Sequence, residues 1–599
     1  MGLHEGFRIG EYGVFPLEGR ITGPGGSLRV EPKAMAVLVE LARHAPEVRS
    51  RAQIEQVVWP RGFVSDDALT RCIGQLRRAL GDDSKSPTLL ETIPKRGYRL
   101  RAAVCSRGST SRAVAKTESL LVLPFRHLSN STETFIADGL TELLILRLCS
   151  VHGLRILSRT TAMEFASTTV GLADIAARSG ADWVVEGAVL QIGDQVQVVA
   201  QLVDARTDAH VWSGNHTRGL QDLLAVQNDI AESVAAAISV QLARDGGPAW
   251  RAPVLAPPVM RNYLRARHLM SRRTVPALRE ALAALEAAIA ESAEFAPAWA
   301  SRAECELLLM HYGAAPTEAL LGPCESHLER ALALDPNLGI ALSARAGLRF
   351  FFALDFDGAE RDVQRALALL PSWGTAMVLL ASLSAVRHRF AEASAWIGQA
   401  LLVDPLDVGT NMNLGDHMIL QRRWSDAVGA LRRALELAPG HRPSQFRLAW
   451  ALALGSCGDA ARETLAACRV DGSTDAAWLE YAALVEGACG DARTAAMHDD
   501  ALVRLGASQR VSAWSIARSA AAAGRREAAL AALNAAVRER SSSLPFLRLT
   551  PAFEILHGEA RFEALCRSLG LDLRNDAADA RIAPKAFGAR PPNGIDQRV

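Results

Sequence analysis

Residues 65–80 hold side chains whose types and spacing suit the reading of a nucleic acid. The stretch is Ser65-Asp66-Asp67-Ala68-Leu69-Thr70-Arg71-Cys72-Ile73-Gly74-Gln75-Leu76-Arg77-Arg78-Ala79-Leu80. Leu69, Ile73, Leu76 and Leu80 recur at helical spacing and form one apolar stripe. A glutamine amide can both donate to and accept from an adenine edge, and an arginine fork can bond guanine N7 and O6. Thr70, Arg71, Gln75 and Arg78, on the other side of the helix, are therefore the expected groove face. Gly74 lets the helix backbone approach a duplex, and Arg77 is expected at a phosphate. Ser65-Asp66-Asp67 supply an N-cap and first-turn acids, Arg77 and Arg78 suit the negative end of the helix dipole, and Gly81 ends the helix. Cys72 lies beside the stripe and is expected to pack rather than react. Basic outer faces are common on helices that only meet water, so the neighbouring elements decide between the two readings.

Those elements begin with short β-like runs at Phe7–Ile9, Tyr12–Phe15 and Ser27–Val30, broken by Gly10, Pro16, Gly19 and Gly23-Pro24-Gly25-Gly26. Pro32 can open a helix over Lys33–His44, with Met35, Leu38, Val39 and Ala42 on its apolar side. Arg51–Trp59 is a second helix, stopped by Pro60. After the 65–80 helix, Leu89–Ile93 and Tyr98–Arg101 flank Pro94-Lys95-Arg96-Gly97, a hairpin with a doubly basic tip. Trp59, Phe63 and Tyr98 are expected to pack, because duplex DNA offers no exposed base faces.

The order is sheet, three helices, hairpin. Residues 7–101 thereby resemble an OmpR/PhoB-type winged helix-turn-helix domain. Leu69–Asp82 is similar to that family's recognition helix and Thr92–Leu100 to its wing, in the subtype of CadC-like regulators. The resemblance implies an α+β domain over residues 5–103 that binds double-stranded promoter DNA, with Lys95 and Arg96 at the adjacent minor groove. Residues 1–104 carry 16 Lys/Arg against 12 Asp/Glu, while the whole chain is only +1, so the contact with DNA belongs to this domain.

The remaining totals exclude several classes. Nine cysteines are scattered without a Cys-x-x-Cys pair, so neither zinc spacing nor a disulfide framework is indicated. None of the five lysines follows a glycine, which removes a Walker A motif, and neither His-Glu-x-x-His nor Gly-x-Ser-x-Gly occurs. No catalytic residue, metal or cofactor is expected. CadC-like proteins often carry a membrane span after the winged helix, but residues 104–117 read as a polar, basic linker. No run of about 18 uncharged apolar residues exists. The expectation is a soluble cytoplasmic chain.

Residues 118–245 alternate between strand and helix patterns. Strands are expected at Leu120–Phe125 and Leu154–Leu157, helices at Phe135–Cys149, Ala173–Ser179 and Asp222–Leu242. A hairpin of Trp183–Val189 and Val196–Asp204 turns at Gly193-Asp194. Val122-Leu123-Pro124-Phe125, Ala137-Asp138-Gly139-Leu140-Thr141-Glu142, Ser158-Arg159-Thr160, Val185-Glu186-Gly187, Ala200–Asp204 and His210-Val211-Trp212 resemble a TolB-like α/β domain. That resemblance brings no chemistry. Asp204 and His210 lack the nucleophile or metal motif a general base would serve.

From residue 260 to about 570 the chain is helical and repetitive. Pro336, Pro371, Pro405 and Pro439 are 35, 34 and 34 residues apart, the period of the tetratricopeptide repeat. Twelve, eight and five residues before the last three prolines stand Ala359, Ala393 and Ala427; Val363, Ile397 and Leu431; Ala366, Ala400 and Ala434. An earlier repeat has Ala281, Leu285 and Ala288, with Ala293 in the proline slot. Gly347 and Gly415 are placed where the first helix of a repeat approaches its partner. Seven or eight repeats are expected, the last ones degenerate, then a disordered tail over 574–599. The fold is thus multidomain: winged helix, α/β middle block, all-α solenoid.

The function this implies is sequence-specific transcriptional regulation, with the middle block and repeats sensing a protein partner or small effector and RNA polymerase a further candidate partner. The alternative is a repeat scaffold or adaptor whose winged helix is a protein-contact module. The sequence sets neither the oligomeric state nor the operator.

Overall fold

The computed structural model describes residues 7–9, 12–16, 19–23, 26–45, 48–59, 66–82, 89–94, 96–101, 104–106, 117–128, 133–166, 171–238, 255–469 and 475–571. The expectations for Ser65, Phe63, the linker residues 107–116 and the tail 574–599 lie outside them. Met1–Thr117 and Glu118–Val599 form two compact units.

The first unit opens with four strands, β1 (Phe7–Ile9), β2 (Tyr12–Phe15), β3 (Arg20–Gly23) and β4 (Gly26–Arg29), then helices α1 (Pro32–Arg43), α2 (Arg51–Val58) and α3 (Asp66–Ala79). The hairpin β5 (Leu90–Ile93) and β6 (Gly97–Leu100) follows, then β7 (Val104–Ser106). The sheet runs β4-β3-β2-β1-β7. Val104–Ser106, assigned to the linker from sequence, is instead a strand antiparallel to β1, which otherwise would be an open edge. Leu69, Ile73, Leu76 and Leu80 enter one core with Leu38, Leu41, Ile54, Leu90 and Leu100, so the apolar stripe of α3 faces inward as its spacing requires.

The second unit begins with β8 (Glu118–Val122), β9 (Arg126–His127), α4 (Phe135–Leu148), β10 (Leu154–Ile156), α5 (Arg159–Met163) and α6 (Leu172–Ser179). Then come β11 (Trp183–Ile192), β12 (Gln195–Asp204), β13 (Ala209–Gly219) and α7 (Leu223–Ala237). The sheet order is β10-β8-β11-β12-β13, with β9 on β11. The crossover through α4 makes β8 and β10 parallel, whereas β11–β13 are antiparallel. Gly193, at φ 63°, makes the β11–β12 turn.

Eight helix pairs follow among the described residues: α8 (Pro257–Ser271) and α9 (Val275–Glu291); α10 (Ala296–His311) and α11 (Thr317–Leu334); α12 (Gly339–Leu348) and α13 (Phe356–Leu369); α14 (Gly374–Val386) and α15 (Phe390–Val403); α16 (Val408–Leu420) and α17 (Trp424–Leu437); α18 (Arg442–Leu454) and α19 (Gly458–Ala467); α20 (Ala476–Ala488) and α21 (Ala492–Gly506); α22 (Ala513–Ala522) and α23 (Arg526–Arg538). A last helix, α24, spans Ala560–Ser568. Ala359, Val363, Ala366, Ala393, Ile397, Ala400, Ala427, Leu431 and Ala434 are all buried, as the offsets from the prolines demand. A methyl on Gly415 would come 2.6 Å from Leu431, its partner helix. Gly347 differs: its nearest neighbour is Leu307 of the preceding repeat, at 3.2 Å. The turn inside each repeat carries a residue with positive φ, and from Leu354 these recur every 34 residues, at His388, Arg422, Ser456, Gly490 and Gly524. The phase therefore persists after the prolines are lost.

The middle block and the repeats share one core, which runs from Leu120 and Leu144 through Leu264 and Ala281 to Leu370. A methyl on Gly139 would stand 2.7 Å from Leu264, so α4 and α8 are in close approach. Across the same junction Arg267 reaches Glu142 and, at 3.2 Å, Glu304. Burial lowers the guanidinium's pKa, but the two carboxylates outweigh it and hold it above the ordinary value. Further along, Ile156 N–H donates to Ser372 Oγ (3.1 Å), and Ser158 N–H to Val403 C=O (2.9 Å). Asp404 accepts from the hydroxyls of Ser158 and, at 2.9 Å, Thr161. After α23, Phe546 meets Phe350 at 5.7 Å between ring centres, and Arg422 donates to Leu549 C=O at 2.6 Å. The segment beyond the last repeat thus packs against repeats far earlier in the chain.

Two outcomes follow. Gly524→Ala should lower stability by about 1 kcal/mol, because alanine is strained at φ 76°. Gly429→Ala, inside α17 with open space around it, should raise stability by about 0.5–1 kcal/mol; urea-unfolding midpoints distinguish the two. Burial and then Asp407 push Asp404 up to about 7, against the two hydroxyls. The folded state therefore holds this proton more tightly than the unfolded chain. The contribution is complete below about pH 4 and is lost as pH rises through about 7. Asp404→Asn should flatten that part of the stability–pH curve.

Candidate nucleic-acid interface

The groove-face candidates sit on one exposed side of α3. Thr70, Arg71 and Arg78 are exposed, Gly74 and Gln75 half-buried. No hydrogen bond or ion pair among the described residues engages the side chains of Arg71 or Gln75. Among the described residues Arg78 makes only a long contact, to Gly74 C=O within its own helix, at 3.4 Å. A side chain on Gly74 would meet nothing within 4 Å, so the backbone there faces open space. Cys72 is buried, and burial raises its thiol pKa.

Arg77, expected at a phosphate, also has partners within the domain. Its guanidinium donates to Leu90 C=O (3.2 Å) and Thr92 Oγ1 (2.8 Å) on β5. These bonds brace the hairpin against α3. The end of α3 is tied to the same strand. Gly81 takes φ 58°, Asp82 N–H caps Arg77 C=O at 2.9 Å, and the Asp82 carboxylate accepts from the amides of Leu89 (3.2 Å) and Leu90 (2.7 Å).

The turn end of the hairpin is fixed from the other side by Arg49, in the segment that enters α2. Arg49 and Tyr98 exchange both backbone hydrogen bonds at 2.9 Å. A methyl on Gly97 would lie 2.0 Å from Arg49 C=O, and Gly97 also has φ 137°. Arg99 pairs with Glu91 across the hairpin at 2.7 Å, which neutralises it. Arg96 N–H closes the turn onto Ile93 C=O at 3.0 Å, and the Arg96 side chain is exposed. Lys95, the other tip cation, lies outside the described residues.

Arg51 joins the set unannounced. Ser50 Oγ accepts from Gln53 N–H (3.2 Å) while Gln53 Oε1 accepts from Ser50 N–H (2.9 Å), a capping box that sets Arg51 at the first position of α2. From there Arg51 donates to Tyr98 Oη (3.2 Å) and Thr70 Oγ1 (3.3 Å). It ties α2, α3 and the wing together beside the groove face. The Ser50-x-x-Gln53 spacing was the sequence signal for it.

A two-turn helix leading to a longer one with an exposed polar face, followed by a braced hairpin, is a winged helix-turn-helix. Residues 25–100 match the family described as "Transcriptional regulatory protein, C terminal", and the domain is of the OmpR/PhoB type. Residues 115–233 match "HilA/YgeH-like transcriptional regulator, second domain". Among individual relatives, the transcriptional activator CadC of Escherichia coli strain K12 is 40% identical over 98 residues, which are 16% of this chain and 19% of that one. The transcriptional regulator HilA of Salmonella typhimurium is 21% identical over 446 residues, 73% of this chain and 71% of that one. A Rhizobium meliloti protein named "Putative adenylate cyclase 3" is 32% identical over 125 residues, 21% of each chain. The chain spans about a fifth of the length of CadC and of the Rhizobium protein. No helix among the described residues is long and apolar enough to cross a membrane.

Gly97→Ala should cost about 1–3 kcal/mol locally, since backbone strain and a carbonyl collision act together. Hydrogen exchange on the full-length protein should show the amides of residues 90–100 opening about five- to 150-fold more often, the factors that 1 and 3 kcal/mol correspond to.

Proposed function

We propose that the chain is a sequence-specific transcriptional regulator that is not an enzyme. Its N-terminal unit reads promoter DNA, and its middle block and repeats take up a protein partner. The observation that carries this reading is the exposed face of α3, with Arg71, Gln75 and Arg78 uncommitted beside a hairpin held in place by Arg77, Asp82 and Gly97. Gln75, Arg71, Arg78 and Thr70 face base edges in the major groove, with Gly74 admitting the backbone. Lys95 and Arg96 serve the adjacent minor groove. Arg51, at a helix N-terminus, suits a phosphate. The names of the relatives, an activator and a regulator of transcription, support the reading.

Stacked helix pairs form an extended concave surface suited to a partner segment, which favours a protein partner over a small effector. RNA polymerase is one protein the repeats or the DNA-bound unit would meet at a promoter.

The test is selection of bound sequences from a random duplex pool with the full-length protein, followed by binding of variants to the selected site. Gln75→Ala should cost about 1–3 kcal/mol and relax one base position. Lys95→Ala or Arg96→Ala should weaken all duplexes alike and reduce the salt slope by about one. Equal, sequence-blind losses from all three substitutions would reject the assignment of α3 to base reading.

A further inference from the structure

The middle sheet ends on β13, and no strand among the described residues pairs with its outer side. Leu220 N–H bonds to Asp194 C=O at 2.8 Å, which fixes the alternation along β12 and β13. Trp212, Gly214, His216 and Arg218 turn their backbone groups toward β12. Ser213, Asn215 and Thr217 turn theirs outward. The Arg218 guanidinium finds that free side, donating to Thr217 C=O at 3.0 Å. Exposed edges are usually blunted by lysine, proline, inward charge or a bulge. Between Trp212 and Thr217 there is no proline, no lysine and no acid. The one register shift falls earlier, between Leu202 and Val203 of β12, where Val211 is looped out. The neighbouring surface is also weakly polar, with Val199 and Val211 each 44% exposed.

We propose that β13 pairs antiparallel with β13 of a second copy of this chain, about a two-fold axis at Asn215. The strand is self-complementary in that register. Ser213 stands opposite the partner's Thr217, and Asn215 opposite the partner's Asn215, as the hydrogen-bonded pairs, with hydroxyls and amides able to bond across. Between them lie the closer pairs. Gly214, over which its own chain's Trp212 ring lies, stands opposite the partner's His216, and Arg218, released from Thr217 C=O, meets the indole of the partner's Trp212 as a cation. The formal charge within the paired run thus meets an aromatic ring, and no like charges oppose. A slip of two residues either way sets Arg218 against the partner's His210 or the partner's Gly214 and loses that contact. The dimer holds two DNA-binding units in one particle, which goes beyond binding by a single unit.

The test needs no DNA, so its failure is distinct from failure of the DNA-binding reading. Sedimentation equilibrium of the full-length protein should show a dimer, and Asn215→Asp, which sets two carboxylates face to face, should weaken self-association at least about tenfold. Asn215 is exposed, so the fold should survive, and circular dichroism verifies this. A cysteine series reads the register independently. In a Cys105→Ser/Cys457→Ser background, which removes the exposed thiol among the described residues together with Cys105, Asn215→Cys and the double variant Ser213→Cys/Thr217→Cys should cross-link on mild oxidation. Ser213→Cys alone should not, because its two copies lie about 13 Å apart along the strands. A monomer at tens of micromolar, or a dimer that ignores Asn215→Asp and cross-links equally through Ser213→Cys, would overturn the proposal.

Discussion

A repeat helix pair cannot bury both of its apolar faces by itself, and the second unit is built around that constraint. Each pair covers the next, but the first pair needs a different cover. Here α4 supplies it. Ile136, Leu140, Leu143, Leu144, Ile145 and Leu148 are buried, so the helix is apolar on all sides. That pattern belongs to a helix held between two layers. One side of α4 lies on the sheet and the other on α8, with Gly139 admitting Leu264. The middle block is therefore the N-terminal cap of the solenoid as well as a sheet of its own. Polar groups fix the angle between them, through Ser372 on Ile156 and Asp404 on Ser158 and Thr161.

The first unit solves a smaller problem with fewer residues. A hairpin of four residues per strand is marginal in water. Leu90 and Leu100 anchor it to the core, but apolar contacts alone do not set its angle to α3. Directional bonds do, from Arg77, from Asp82 and from the Arg49–Tyr98 exchange. These spend an arginine that would otherwise be available to a nucleic acid. The exposed side of α3 that carries no such brace is therefore narrower than the count of its basic residues suggests.

Much of this was legible in the sequence, and the exceptions have physical causes. The stripe of α3 and the alanine and proline offsets of the repeats are set by packing periodicity, which residue types record directly. The place of Arg77 was not, because the last turn of a helix suits a cation for its dipole, for a phosphate or for a carbonyl, and only the path of β5 decides. The strand β13 was missed as well. Ala209–Gly219 has two glycines and an asparagine interrupting its few strand formers, and no apolar alternation, so its pairing with β12 rather than local preference makes it extended. The 34-residue phase of the turns is hidden for another reason. Leu354, His388, Arg422, Ser456, Gly490 and Gly524 share a backbone conformation but not a side chain.

That shared conformation also shows what the end of the chain does. A left-handed backbone costs a residue other than glycine about 1–2 kcal/mol. Gly490 and Gly524 bear no such cost, and a side chain there would meet nothing. Leu354 and Arg422 do bear it, and both are held by the segment after the last repeat. Leu354 packs with the cluster of Phe553, Leu556 and Phe562, and Arg422 bonds Leu549 C=O and Glu554. Leu549 is itself buried against Ala385 and Ala393. The strain at these turns is thus offset by contacts from residues 544–562. A partner that occupied the same face of α14–α17 would have to replace those contacts and bear the strain as well. One that bound elsewhere on the repeats would not, so the faces of the solenoid are energetically unequal as binding surfaces.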